Sequence, residues 1–338
     1  MKKTKKSGQQ PLLADLFIKI GKKIGVTVFV EKEWGVVGQL SYSNGIKKYF
    51  RGTTVDINTM GASEIARDKD YSKIFMDKMG YRVIPWKKFY SNSWAQKIKS
   101  NQTIDKAFAY AIKLGLPVFL KPNSKSQGVG VTKVYTKTEF YKVFYSISRI
   151  DNVILVEKTI AGKDYRVVVL DDEIISAYER IPLMVTGTGK LSVIQLLKRK
   201  QREFKKAGRE KTFTLDDPRL KAVLQRQRMT FDSVISKDQT VQLLYNANLS
   251  SGGTSFDVTE KVHPFYKDLA IRLTKDMGLR MCGVDMIIEG DIFSPTEQYY
   301  IIEINSAPGL DHYAALGKKQ QGIVEQLYTK VLIAMGKM

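Results

Sequence analysis

Two stretches constrain this chain more than any other, GVDMII around Asp285 and YYIIEINSAPG around Glu303 and Asn305, because each sets a carboxylate inside an otherwise apolar run. Runs of Ile, Val and Tyr of this length read as strands. Strand alternation then puts Glu303 and Asn305 on one face and Ile302 and Ile304 on the other. A second carboxylate, Asp285, on a neighbouring strand completes a set of hard oxygen donors. Such a set suits Mg²⁺, whose remaining positions go to phosphate oxygens and water. The bland alternative is strand acids that face solvent or pair with lysines, the usual fate of an isolated charge. Three oxygen-bearing side chains in apolar sequence, followed at once by Ser-Ala-Pro-Gly, favour the metal site.

Charge narrows the partners without choosing among them. The formal net charge is +21 over 338 residues, a field that attracts nucleic acid, an anionic surface, a nucleotide or an acidic substrate. The densest run, Lys198 to Lys211, holds eight Lys/Arg against two Glu. It reads either as a solvated helix or loop, or as a contact surface for an acidic partner. Phe204 is its sole aromatic, so base stacking is weakly supported there. With Cys282 as the single cysteine, an internal disulfide and a thiolate metal cage are both excluded. No apolar run nears the roughly 20 residues of a membrane span. The basic start MKKTKKSGQQ reads as a solvated tail rather than a leader, and the protein as cytoplasmic.

Along the chain, strands and helices mix with hairpins, which indicates α+β. Residues 1–65 form a small unit in which Asn44-Gly45 signals a type I′ hairpin. Residues 66–180 form a first lobe. Its helix presents Ile65, Ile74, Phe75 and Met79 at helical spacing and stops at Gly80. A second helix, from Thr103 to Leu114, carries Ile104, Phe108, Ala111 and Ile112 on one face. Thr138 is expected to cap a third. Residues 181–245 lack a clean period and read as a basic mobile lid, and 246–338 form a second lobe that holds the acid-bearing strands.

Two further groups bear on chemistry. Lys121 leaves the apolar strand PVFL just before SKSQGVG, whose Gly128 and Gly130 let backbone N–H groups approach a phosphate closely. No GxxxxGK[ST] or GxGxxG motif is present. In VEKTIAGKDYRV a strand ends at Glu157, and Asp164 opens the next. The backbone of the connector can meet an adenine edge while the acid meets ribose hydroxyls. Taken alone, the first stretch reads rather as an ordinary turn and the second as an ordinary β-connection.

In order, the chain shows Asp68-Lys69 opening a helix, FLKP, a small-residue loop, VEKTIAGKDYRV, NANLSSGGT, GVDMII and IIEINSAPG. This succession, over about residues 62–312, resembles the ATP-grasp family, and within it the ligase domains of cyanophycin synthetase and bifunctional glutathione synthetase. The resemblance implies an ATP-grasp fold of two α/β lobes with antiparallel sheets that clamp ATP. It also implies roles. Lys69 and Lys121 would contact ATP phosphates, with Ser126, Gly128 and Gly130 in a covering loop. Glu157, Lys158 and Ile160 would make the adenine hinge, with Asp164 on the ribose. Asp285, Glu303 and Asn305 would bind two Mg²⁺ (or Mn²⁺ in substitution), with Glu303 bridging them. Ser250, Ser251, Gly252, Gly253 and Thr254 would sit beside the reacting carboxylate, and Arg166 and Arg180 near phosphate or substrate. Asn246 stands where glutathione synthetases commonly carry arginine, so their specificity is not implied. The chain also holds neither the Mur-ligase-like domain of the one nor the glutamate–cysteine ligase domain of the other.

The implied reaction joins a carboxylate to an amine through an acyl phosphate, with release of ADP and phosphate. It needs positioning and charge neutralisation more than a nucleophilic side chain. That agrees with a chain holding two histidines: His263 reads as structural, and His312, just past the metal motif, as a residue that either faces the substrate or lies on the surface. The basic lid points to an acidic amino acid or peptide as substrate. Two alternatives stay open, an ATP-grasp kinase acting on a small molecule and a basic nucleic-acid-binding protein. Homodimerisation is compatible with the scaffold.

Overall fold

The computed structural model describes residues 12–206, 209 and 213–337, apart from the side chains of Leu12 and His312. The N-terminal tail, part of the Lys198–Lys211 run and the His312 side chain therefore lie outside the described residues.

The chain opens with helix α1 (Leu12–Ile24) and an antiparallel sheet of β1 (Thr27–Val30), β2 (Val37–Ser41), β3 (Lys47–Arg51) and β4 (Thr54–Val55). The expected hairpin at Asn44-Gly45 forms, but its turn is not type I′. Only Gly45 has positive φ, at 86°, and the bonds Gly45 N–H to Tyr42 O and Tyr42 N–H to Ile46 O make a three-residue loop. Asn44 Oδ1 accepts from Ile46 N–H at 3.1 Å, which holds that loop without a second left-handed residue.

Next come α2 (Met60–Arg67) and α3 (Lys69–Lys78), with Asp68 capping the second through a bond to Tyr71 N–H. The apolar face expected here is inverted. Ile74, Phe75 and Met79 are exposed, and α3 instead buries Asp70, Ser72, Lys73 and Met76. A four-stranded antiparallel sheet follows, in the order β5 (Trp86–Tyr90), β8 (Val153–Lys158), β6 (Val118–Pro122), β7 (Thr132–Val134). Interleaved with it are α4 (Asn92–Lys97), α5 (Ile104–Leu114) and α6 (Lys137–Ser148). Helices α5 and α6 cover one face of this sheet with Ile104, Ala107, Ala111, Phe140, Phe144 and Ile147. Ile112, expected on the buried face of α5, is exposed. The cap of α6 is Thr136 rather than Thr138: its hydroxyl accepts from Glu139 N–H at 3.2 Å, while Glu139 reaches back to Tyr135 N–H at 2.8 Å.

The central sheet is antiparallel, in the order β13 (Thr254–Asp257), β10 (Glu173–Ile181), β9 (Lys163–Leu170), β14 (Met281–Ile288), β15 (Tyr299–Asn305). One face carries Val167, Val169, Val284 and Met286 against Tyr266, Leu269 and Leu273 of α9 (Pro264–Asp276). The other carries Val168, Leu170 and Met281 against α1 and α11 (Lys318–Met335), which follows the short α10 (Asp311–Ala314). Coverage on both faces explains why these strands read as unbroken apolar runs. His263 caps α9, its Nδ1 accepting from Phe265 N–H at 3.2 Å.

Residues 181–245 are not a long loop. They contain the pair β11 (Met184–Thr186) and β12 (Thr240–Gln242), and the helices α7 (Val193–Lys206) and α8 (Pro218–Arg226). Their own core gathers Leu183, Val193, Leu197, Phe204, Leu220 and Leu224. The basic residues of α7 ride on an amphipathic helix whose apolar positions are few but correctly spaced.

Candidate active site

Sheet register builds the polar row. Tyr178 of β10 pairs with Arg166 of β9, Arg166 with Asp285 of β14, and Asp285 with Glu303 of β15. Paired residues point to the same face, so four polar side chains line up across four strands. Arg166 lies two residues from Val168, where the α11-covered core gives way to an open cleft. A β-bulge between Asp285 and Met286 leaves Ile302 unpaired, and Ile302 lines that cleft instead of packing opposite it. Asn58 fixes the far ends of the strands: its amide donates to Met281 O and Ser306 O at 2.8 and 2.9 Å and accepts from Arg280 and Met281 N–H.

The charges in the row are tightly paired. Arg166 donates from Nε and Nη2 to the two oxygens of Asp285, each at 2.6 Å, and Arg180 Nη1 lies 2.9 Å from Asp285 Oδ2. Arg180 also grips Asp164 Oδ1, at 2.8 and 2.6 Å. Burial works to raise the Asp285 pKa, but the two guanidiniums outweigh it and hold the carboxyl below its ordinary value. Asp164 is raised, because burial prevails over Arg180 there.

A second buried cluster lies across the cleft. Glu157 pairs with Lys121 at 2.5 Å and with Lys73, and all three side chains are almost wholly out of solvent. Burial lowers the Lys73 ammonium to about 8 against the pull of Glu157. Burial also tends to raise Glu157, but Lys121 and Lys73 outweigh it and keep that carboxyl low. Lys73 was missed in the sequence, although its spacing of four from Lys69 puts both on one side of a helix. The connector 159–162 between β8 and β9 joins the two sheets, and a Cβ at Gly162 would lie 2.5 Å from Ile288 O.

A cleft of about 1030 Å³ collects most of the expected residues. Lys69, Lys121, Ser126, Gly128, Glu157, Lys158, Ile160, Asp164, Arg166, Ser250, Glu303 and Asn305 all line it, as does Arg180. Gly130, Ser251, Gly252, Gly253 and Asp285 do not. Gly252 is packed under Phe213, Gly253 sits against backbone carbonyls, and Asp285 lies beneath its arginines. Lys69 turns to the loop, donating to Asn123 O at 3.2 Å and Lys125 O at 2.5 Å.

Among the described residues no group of three or more acids, histidines or cysteines forms a ready cation cage. Both Asp285 oxygens are engaged by arginine, which leaves Glu303 and Asn305 as the donors facing the cleft. Asn305 Nδ2 is buried without a hydrogen-bond partner. The unsatisfied Asn305 Nδ2 is a donor that fits an added acceptor such as a phosphate oxygen, while Asn305 Oδ1 and Glu303 supply oxygens that fit Mg²⁺.

Comparison with known proteins agrees with this geometry. Residues 75–190 match the family model for the D-ala D-ala ligase C-terminus, and residues 232–324 the RimK-like ATP-grasp domain. The chain carries an ATP-grasp domain. It is 34% identical over 256 residues to the glutathione biosynthesis bifunctional protein of Mannheimia succiniciproducens, covering 72% of this chain and 32% of that one. It is 30% identical over 284 residues to the cyanophycin synthetase of Nostoc sp., covering 82% and 30%. The ATP-grasp chain thus spans about a third of the length of these relatives. The crystal structure of a bifunctional glutathione synthetase from Pasteurella multocida superposes with a TM-score of 0.58 at 27% identity, over 96% of this chain and 45% of that one. D-alanine–D-alanine ligase from Bacillus anthracis shares the fold, with a TM-score of 0.50 at 15% identity, over 83% and 72%.

Proposed function

We propose that the protein is an ATP-dependent carboxylate–amine ligase whose carboxylate or amine substrate is an acidic amino acid or peptide. The observation that carries this reading is the single cleft shared by Lys121, the 124–130 loop, the 157–160 connector and the ends of β14 and β15. A nucleotide there has lysines and loop amides for its phosphates and a backbone edge for its base. Glu303 and Asn305, with Asp285 once an arginine yields, would hold Mg²⁺, which when bound neutralises phosphate charge. Arg166 and Arg180 are then free to draw a substrate carboxylate towards the γ-phosphate. The carboxylate oxygen forms the new P–O bond as ADP leaves. An amine next attacks the acyl carbon, expelling phosphate and losing a proton. No side-chain nucleophile takes part. Similarity to a glutathione biosynthesis protein and a cyanophycin synthetase supports a ligase, and Arg166 and Arg180 at the cleft support an acidic substrate.

The test is a panel of acidic and neutral carboxylates crossed with amines, read by ADP and inorganic phosphate release with Mg-ATP. Release of both, with an amide product from an acidic substrate, is expected. A phosphorylated product without phosphate release would replace the ligase reading by a kinase. Turnover confined to neutral substrates would remove the acidic one.

A further inference from the structure

The loop between β6 and β7 follows a strained path. Gln127 has φ 58° and Gly128 φ 73°, and a non-glycine residue in the left-handed region persists only where its surroundings fix it. Three elements do so. Lys69 holds the carbonyls of Asn123 and Lys125. Ser250 and Ser251 donate to the Gln127 carbonyl at 3.3 and 3.5 Å. The third contact comes from the lid: Arg219 Nη1 donates to Gly128 O at 3.0 Å and to Val131 O at 3.4 Å.

The Arg219 guanidinium is itself aimed. Asp217, the cap of α8, takes Nη2 at 2.6 Å on Oδ2 and Nε at 3.0 Å on Oδ1. A local capping role accounts for Asp217, which also accepts from Arg219 N–H. It does not account for the remaining nitrogen reaching carbonyls 91 and 88 residues away in sequence. Because Arg219 donates to loop carbonyls, it sets where the loop lies rather than binding an anion. Docking of α8 has separate support: Arg226 stacks 3.5 Å over the Tyr135 ring and pairs with Glu139 at 2.5 Å.

We propose that Arg219 is a positioning residue which, held by Asp217, latches the 124–131 loop to the lid and so makes nucleotide retention depend on the lid. The retention part rests on the ATP reading of the cleft; the latch itself does not. Lys125 is exposed in the loop, so trypsin reports loop release directly.

The full chain is compared with Arg219→Ala, Asp217→Asn and Arg226→Ala, by the rate of tryptic cleavage after Lys125 and by equilibrium binding of Mg-AMPPNP. Losing a charge-assisted bond corresponds to about a tenfold effect. Arg219→Ala should therefore speed cleavage after Lys125 about tenfold and weaken Mg-AMPPNP about tenfold. Asp217→Asn should do the same by a smaller factor, and Arg226→Ala, which loosens α8 without removing a contact to the loop, should raise Lys125 cleavage by only about twofold. Unchanged cleavage after Lys125 in Arg219→Ala would overturn the latch. So would cleavage that rises equally after Lys198 in α7, since Arg219 would then merely hold the lid together. If wild-type protein fails to bind Mg-AMPPNP, the ATP reading falls while the proteolysis still decides the latch.

Discussion

Arg166 and Asp285 face each other across β9 and β14, and the guanidinium engages both carboxylate oxygens at 2.6 Å. Arg180 approaches the same carboxylate from the side, so one buried acid separates two cations. Asp285→Asn leaves Arg166 without its carboxylate partner and Arg180 with Asp164 alone. Breaking a buried pair from one side costs about 3–5 kcal/mol. The expected outcome is a loss of that order in urea unfolding together with loss of ADP release. Loss of activity at unchanged stability would mean that the carboxylate serves the metal without bracing the arginines.

Lys73 makes a second case, across the cleft. It is fully buried and shares Glu157 with Lys121. Lys73→Met keeps the bulk and removes the charge, which leaves Glu157 with one partner. Because Lys121 stays on Glu157 and burial already opposes the Lys73 charge, the destabilisation should be smaller than for Asp285→Asn, about 1–2 kcal/mol by the urea midpoint. Lys69→Met, with its ammonium at the loop, should leave that midpoint within about 1 kcal/mol.

These residues also show what the sequence discloses. Alternation along YYIIEIN suffices to align Glu303 with Asn305, because a strand has period two and both flanks are apolar. It does not disclose the bulge that turns Ile302 outward, since one extra residue in a ladder leaves no compositional trace. Helix α3 misleads for a physical reason. Its apolar residues Ile74, Phe75 and Met79 define a face, yet the helix turns Lys73 and Asp70 inward. There they meet Glu157 on one side and Lys88 and Trp86 on the other. At that position the helix buries partnered charges and leaves its hydrophobic stripe exposed. In α7 the core positions Val193, Leu196, Leu197 and Phe204 hide among lysines and arginines whose long stems cover apolar surface while their heads stay in water.

Cys282, the second residue of β14, has no exposed surface, and burial pushes its thiol from 9.0 up to about 12. The native protein should therefore not react with a thiol reagent at pH 8, and should titrate one thiol in denaturant. The folded state keeps its proton between pH 9 and 12 while the unfolded chain releases it. This group's contribution is thus fully present below pH 9 and is lost as pH rises towards 12. Cys282→Ala should flatten the alkaline limb of the stability curve; an unchanged limb would assign it to other groups.

Gly128 is constrained twice. Its φ is +73°, and a Cβ there would come within 2.5 Å of Asn246 Nδ2 and 2.6 Å of Asn248 Oδ1. Gly128→Ala should displace the loop from the NANLSS segment while leaving the packed lobes intact. The expected result is a KM for ATP raised about tenfold or more, at a melting temperature changed by the equivalent of about 1 kcal/mol. An unaltered KM would show that the loop does not cover the nucleotide.

Asn305 separates stability from function most cleanly. Its Nδ2 is buried and unpartnered, and an unsatisfied buried amide costs about 1–3 kcal/mol relative to a paired one. Asn305→Ala removes the polar group together with that cost, and the small cavity it leaves works in the opposite direction. The two terms are of similar size and opposite sign, so the urea midpoint should move by less than about 1 kcal/mol. Activity should behave differently. With Asp285 held by arginines, Asn305 and Glu303 are the oxygen donors left facing the cleft, and loss of one should raise the Mg²⁺ concentration needed for half-maximal ADP release. A metal titration of wild type and variant at fixed ATP measures this. A variant that is destabilised but keeps the wild-type Mg²⁺ dependence would make Asn305 a packing residue rather than a ligand.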